Sequence, residues 1–411
     1  MNILYLHQHF ALREGSKGIR SYEFSRLLFA RGHTITMVCG AYESSGMNQD
    51  QQGMISTITL PEMKVLRLNV PYGQKMSYPR RIAVFIWFAL LSSLIAARQG
   101  QAEVILATST PLTIGIPALV AGLLRRKPFV FEVRDLWPEV PIAVGILRNR
   151  WLIGAARWLE KLIYQRAAHI IALSPGMKEG IIKIGIPPEK ITVIPNSCDN
   201  ELFEVPPEAG AAFRAAHPFV KDRPIVLYAG ALGFINNLSY LLQIAEQLFK
   251  RKDDALFLIV GGGSEAAKLE AEARARGIWE QNLWILGQMP HAQIPTVFSA
   301  AAISTSFFLN HETMWVNSAN KFFDSLAAGR PIAINYGGWQ ADLLRETGAG
   351  VVLSPDNPSL AADQLAQVLH DPNWLKNASE AAKKLAIERF ARDKLVLLME
   401  QTLQKAASKA H

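Results

Sequence analysis

At 411 residues the chain is longer than one hydrophobic core usually supports, so two domains of roughly 200 residues each are expected. Half of the residues are apolar and 19% are charged, which excludes wholesale disorder. A net charge of +8 asks for an anionic partner, whether nucleic acid, an anionic membrane or a phosphorylated substrate.

The opening "MNILYLHQHF" reads as a strand, without the charged head or cleavage site of a signal peptide. Its following loop, "HQHFALREGSKGIR", carries a glycine, Gly18, where the first helix begins, so backbone N–H groups there can approach a phosphate or sugar. The spacing is not G-x-G-x-x-G, which disfavours a nicotinamide or flavin cofactor. His7 and His9 read as packing or loop histidines, and two histidines alone make no metal site. The helix "SYEFSRLLFARGH" places Phe24, Leu27 and Leu28 on one face and stops at Gly32.

Short β-branched runs then alternate with amphipathic stretches, the pattern of βαβ units and parallel sheets. Strands at "TITMVCG", "MKVLRLNV", "VILATS", "FVFEVRD" and "HIIALS" complete a first open sheet. An apolar run at residues 82–97 covers about sixteen residues, short of the roughly 20 that a spanning helix needs. Cys39 and Cys198 lie far apart without a metal-ligand pattern, so both are expected to pack as small apolar side chains in a reducing compartment.

"FVFEVRDLWPEVP" collects Glu132, Arg134, Asp135 and Glu139 at the carboxyl end of a strand, as an ion-paired knot or as part of a site. In the site reading Asp135 accepts a proton or holds a sugar hydroxyl, and Arg134 pairs with it or meets a diphosphate. Arg125, Arg126, Lys127, Arg148, Arg150, Arg157, Lys161 and Arg166 lie among tryptophans and aliphatics, a mixture that suits a membrane surface. No nucleic-acid-binding module is recognisable, so nucleic acid is not an expected partner.

A second sheet is expected to open at "ITVIPN", with residues 205–222 as a connection. "PIVLYAG", "ALFLIVGGG", "LWILG", "AAISTS", "PIAIN" and "GVVLS" continue it. The expected fold is α/β, two Rossmann-like doubly wound domains facing a cleft. Their bounds are 1–190 and 191–391, with a C-terminal helix at 392–411 packing back on the first domain. Ligands in such sheets bind past the carboxyl ends of the strands. "YAGALGFINNLSYLL" places Gly233 in a loop and Asn236 and Asn237 at a candidate N-cap, and "IVGGGSEAAKLE" adds Gly263. In "NSANKFFDSLAAGRPIAIN" a helix starting at Asn320 would offer free N–H groups to a diphosphate, with Lys321 adding charge and Asp324 one turn on. The same stretch also fits an ordinary capped surface helix.

These segments in order, with "IPNSCDNELF" and "LGQMPHAQIPTVFSAA", resemble the second domain of retaining GT-B glycosyltransferases of family 4. "KGIRSYEFSRLLFARGHTITMVCG" resembles the opening of that family's first domain, and "FEVRDLWPE" its bacterial O-antigen and capsule branch, the WbuB-like transferases. The resemblance implies retaining transfer from a nucleotide-diphosphate sugar without a metal ion or other cofactor. Gly18, Gly233, Asn236, Asn237, Gly263, Gly287, Asn320 and Lys321 would serve the donor, and Asp324 would hold its ribose as the second carboxylate of the family's two-glutamate motif. The first glutamate of that motif falls near Val316, so its role is vacant or shifted to Glu312. The basic pair that usually follows the "YxG" strand is replaced by Ala231 and Asn236 or Asn237. Asp135, Arg134 and Glu132 are the candidate catalytic groups of the first domain, with no covalent nucleophile.

The implied donor is a UDP-sugar, best an N-acetylated amino sugar, and the implied acceptor a polyprenyl-diphosphate-linked saccharide. The protein would sit in the cytoplasm, peripherally on the anionic inner face of the membrane. Rival expectations are a UDP-sugar 2-epimerase of GT-B fold and a membrane-associated scaffold descended from a transferase.

Overall fold

The computed structural model describes residues 1–15, 19–42, 45–47, 53–73, 76–206 and 208–408, so the expected glycine contact at Gly18 lies outside the described residues. Two compact units are present, Met1–Pro195 together with the helix Arg392–Ser408, and Asn196–Ala391.

In the first unit β1 (Asn2–Leu6), β2 (Thr34–Tyr42), β3 (Ile55–Thr59), β4 (Lys64–Tyr72), β5 (Val104–Thr108), β6 (Phe129–Val133), β7 (His169–Ala172) and β8 (Ile191–Val193) form one sheet, ordered β3-β4-β2-β1-β5-β6-β7-β8. Every pairing is parallel except β3 with β4. "ITVIPN" therefore closes the first sheet instead of opening the second. Ile191, Thr192 and Val193 pair with Ile170, Ile171 and Ala172, and strand membership is set by that partner, which lies outside any local pattern. Cys39 is fully buried in β2, and burial pushes its thiol up to about 12.

The second unit holds β9 (Ile225–Ala229), β10 (Leu256–Val260), β11 (Leu283–Ile285), β12 (Ile303–Ser306), β13 (Ile332–Ile334) and β14 (Gly350–Val352). All are parallel, in the order β11-β10-β9-β12-β13-β14. Val226, Tyr228, Phe257 and Ile259 face one core, and Leu227, Leu256, Leu258 and Val260 face the other. A strand buried on both faces reads as a continuous apolar run, as "PIVLYAG" and "ALFLIVGGG" do. The expected connection at residues 205–222 instead contains the helix Ala209–Ala216, which packs on the helix Ile294–Ala300 through Gly210 and Phe213.

The chain passes from β9 outward to β11 and then returns to β12 on the other side of β9, so the order reverses between β9 and β12. That reversal is the topological switch point, where open α/β sheets leave a crevice at the strands' carboxyl ends. In the first sheet it lies between β1 and β5.

Glu160, on the helix Arg150–Arg166, is buried and hydrogen-bonded to Tyr164 one turn on. Burial, reinforced by the Glu139 carboxylate, pushes its carboxyl up to about 7. The folded state then binds the proton more tightly than the unfolded one, and stability is lost as pH rises through that value. Glu160→Gln should remove this loss, so its stability advantage over the wild type at pH 8 should exceed that at pH 5 by about 2 kcal/mol in denaturant titrations.

Candidate functional site

Past β9 and β10 the backbone keeps its ladder. Gly230 N–H donates to Val260 O at 2.9 Å, Leu232 N–H to Gly262 O at 3.0 Å, and Gly261 N–H to Gly287 O at 2.7 Å. The loops approach so closely that a Cβ on Gly261 would strike the Gly230 carbonyl, and one on Gly263 the Leu232 carbonyl. Gly261 also has φ +152°, a conformation that L side chains rarely adopt. Glycine in "VGGGS" is thus a steric requirement of the loop pair that carries Gly233, Gly263 and Gly287. A cavity of about 60 Å³ opens beside Gly233, lined by Phe234, Asn237, Ser239, Glu265 and Lys268.

The helix Asn320–Ala327 follows β12 and starts at Asn320, as expected. Phe322, Phe323, Ser325 and Leu326 anchor its inner face. Lys321 reaches back across the switch point to the loop after β9. Its Nζ donates to Asn236 Oδ1 at 2.6 Å and to Tyr228 Oη at 3.1 Å, and lies 4.8 Å from the ring centroids of both Tyr228 and Phe308. Tyr228 Oη and Asn236 Nδ2 in turn donate to the Ala231 carbonyl, at 2.8 and 3.0 Å. Both groups therefore turn lone pairs toward the ammonium, which keeps a third N–H for another acceptor. No carboxylate among the described residues pairs with Lys321, and burial alone pushes it down to about 7.

Asn320 is exposed at the helix start, and Asp324 is half-buried one turn on. Asn237 does not cap the next helix as expected. It sits at φ +46° after the turn Phe234–Asn236, where its side chain makes no capping bond. Glu312 is exposed on the separate turn Glu312–Trp315, and no hydrogen bond among the described residues joins it to the Lys321 cluster. Asp253, Asp254 and His370 come close enough to hold a cation but lie before β10, at the amino end of the sheet, where His370 pairs with Asp253 at 2.9 Å.

In the first unit Glu132 is the ion-paired knot, which removes it from the candidate catalytic groups. Its side chain is fully buried at the end of β6, where Oε1 accepts from Arg20 Nε at 3.0 Å and Nη2 at 2.9 Å, and Oε2 from Thr108 Oγ1 at 2.9 Å. Arg20 also donates to the Ile194 and Pro195 carbonyls, so every polar atom of the pair has work inside the unit. Glu23 is a second such knot, with Arg13, Arg26 and Arg392 around it. Asp135 and Arg134 do remain at the strand end. Asp135 is exposed and accepts from Thr110 Oγ1 at 3.2 Å, and Arg134 N–H donates to Ser109 Oγ at 3.0 Å. His7 is buried near Arg134, and burial, followed by that positive charge, holds it neutral, well below the usual histidine range. His9 packs against Tyr42, Tyr72 and Phe85.

Residues 18–197 match the family described as glycosyl transferase 4-like domain, and residues 211–385 match glycosyl transferases group 1. The chain belongs to the GT-B glycosyltransferases. A curated relative, alpha-D-kanosaminyltransferase of Streptomyces kanamyceticus, is 24% identical over 61% of this chain and 67% of its own. Sucrose-phosphate synthase of Thermosynechococcus elongatus shares the fold with a TM-score of 0.79 at 17% identity, over 99% of each chain. Anabaena HepE, solved in complex with UDP and glucose, does so at 0.73 and 17% identity, over 98% of this chain and 99% of its own.

In this glycosyltransferase the Lys321 ammonium lies against the side chain of Asn236, one of the positions considered for the missing basic pair. A cation carried by the helix after β12 thus sits beside the loop after β9. Tyr228 and Phe308, which wall it, were not singled out from the sequence, although Tyr228 is the tyrosine of the quoted "YAG". Because an unfolded lysine titrates near 10.5, the folded protein carries a stability penalty that is complete below pH 7 and fades as pH rises toward 10.5. Lys321→Met should therefore stabilise the ligand-free protein by at least about 1 kcal/mol at pH 6.5, with the gain shrinking toward pH 10 in chemical denaturation.

Proposed function

We propose that this glycosyltransferase moves a sugar from a UDP-sugar, with retention of configuration, to a polyprenyl-diphosphate-linked saccharide in surface polysaccharide synthesis. The observation that carries the donor side is Lys321, a half-buried ammonium at the switch point of the second sheet with no carboxylate partner among the described residues. A diphosphate seated there would accept its third N–H and those of the helix start at Asn320, where the backbone partial charge also favours an anion. The half-buried Asp324 suits two ribose hydroxyls as acceptor. HepE, a protein of the same fold, binds UDP, which supports the choice of nucleotide. An N-acetylated amino sugar and the lipid-linked acceptor rest on the resemblance of "FEVRDLWPE" to the polysaccharide branch.

In the step itself the bond from the anomeric carbon to the diphosphate oxygen breaks, and the acceptor oxygen bonds to that carbon on the same face. The acceptor proton passes to the departing diphosphate oxygen. Lys321 and the helix amides meet the charge that develops on the leaving group, where fixed donors are worth most. That charge stabilisation comes from the chain, so the reaction proceeds without a metal ion. Asp135 and Arg134, exposed and half-buried at the end of β6, are the groups of the first domain available to a sugar hydroxyl.

Calorimetric titration with UDP, GDP and ADP tests this reading. UDP alone should bind, and Asp324→Ala should weaken it by about tenfold or more, roughly 1.4 kcal/mol. A folded protein that binds none of the three overturns it.

A further inference from the structure

The helix Tyr78–Ala96 is longer than the sixteen-residue run read from the sequence, because it continues back through Pro79. Its stretch Pro79–Ala96 is long and apolar enough to cross a membrane. Only a third of that stretch is buried. Phe88, Ala89, Ser92, Ser93, Ile95 and Ala96 face inward, the two serines donating to the Phe88 and Ala89 carbonyls, while Ile86, Trp87, Leu90 and Leu94 face outward. A helix placed for a water-facing surface would carry polar side chains at those four outward positions.

The neighbouring helix Gly115–Arg125 packs on this one and on Arg150–Arg166, so the three lie side by side. They extend the exposed apolar surface with Leu123, 76% exposed, Trp151, 78%, and Trp158, 66%. Trp87 is 52% exposed. Each helix returns from the carboxyl end of one parallel strand toward the amino end of the next, so all three run in the same direction. Arg80, Arg81 and Arg150 therefore gather at one edge, and Arg125, Arg126, Lys127 and Arg166 at the other, with the apolar side chains, Arg157 and Lys161 between them. The sole acid on the three helices is Glu160, which is buried. The one acid paired to this face from outside, Glu139, is ion-paired with Arg157 at 3.0 Å. An apolar band with two basic edges complements an anionic bilayer, with tryptophans at the depth they favour.

We infer that this three-helix face of the first unit docks flat on an anionic lipid surface, with the helix Tyr78–Ala96 lying in the interface instead of crossing it. The inference deepens the acceptor side of the proposed function, and rests on that reading only for why the protein would need a bilayer.

Vesicle co-sedimentation of the full chain tests it. Binding should be strong to phosphatidylcholine vesicles containing phosphatidylglycerol, several-fold weaker to phosphatidylcholine alone, and reversed by high salt. Joint Trp87→Ala, Trp151→Ala and Trp158→Ala changes should cut the bound fraction at least about fivefold, as should Arg126→Glu with Arg150→Glu and Arg166→Glu. All six side chains are exposed, and unchanged UDP titration and circular dichroism would show that both variants fold. No binding to anionic vesicles, binding that neither variant weakens, or binding that high salt does not reverse, as for a spanning helix, would each overturn the inference. So would a dimer in light scattering that the tryptophan variant dissociates, since a second copy would then be the occupant. Vesicle binding without UDP binding would leave this surface standing and remove the donor reading, and the reverse result would do the opposite.

Discussion

A lysine ammonium half-shielded from water, with no counter-charge among the described residues, is the constraint around which the second unit is arranged. Removing such an ion from water costs several kcal/mol even after local relaxation, and a neutral cradle returns only part of it. Lys321 has that cradle in Tyr228, Asn236 and Phe308, which are fixed because Tyr228 and Asn236 spend their donors on one carbonyl, that of Ala231. The carbonyl in turn belongs to a loop locked to its neighbour by backbone bonds that only glycine permits at Gly261 and Gly263. Sheet topology, loop sterics and helix start thus converge on one charge that no acid among the described residues neutralises.

The first unit shows the opposite treatment of buried charge. Glu132 with Arg20 is a closed ion pair whose remaining hydrogen-bonding capacity is used within the unit, and the buried Glu23 carboxylate is met by three arginines. Such pairs hold segments together and offer nothing to a ligand. The charge balance inside the chain, more than burial, separates these structural ions from Lys321. A third pattern covers the outer helices, where arginines outnumber the acids and apolar side chains point outward, so the exposed surface there is itself unsatisfied by water.

Local patterns were enough to read the helix beginning at Asn320, the glycine loops and every strand of both sheets except β3, because each is fixed by spacing within about a dozen residues. What they could not give is whatever a distant partner decides. β8 belongs to the first sheet because Ile170–Ala172 lie beside it, and β3, an antiparallel edge strand, has no period that distinguishes it from a loop. Glu132 and Asp135, three residues apart in one charged run, have different fates because Arg20 is 112 residues before the former. Lys321 was legible as a cation at a helix start, but its cradle was not, since Tyr228 lies 93 residues earlier in the chain.

The most direct test of the Lys321 assignment is the number of protons taken up when UDP binds at pH 8, from calorimetry in buffers of different ionisation enthalpy. A lysine near 7 in the free protein is mostly neutral at that pH, and a diphosphate beside it should restore the charge, giving uptake of about one proton that Lys321→Met abolishes. UDP binding with no proton uptake, or with the same uptake in the variant, would contradict the assignment.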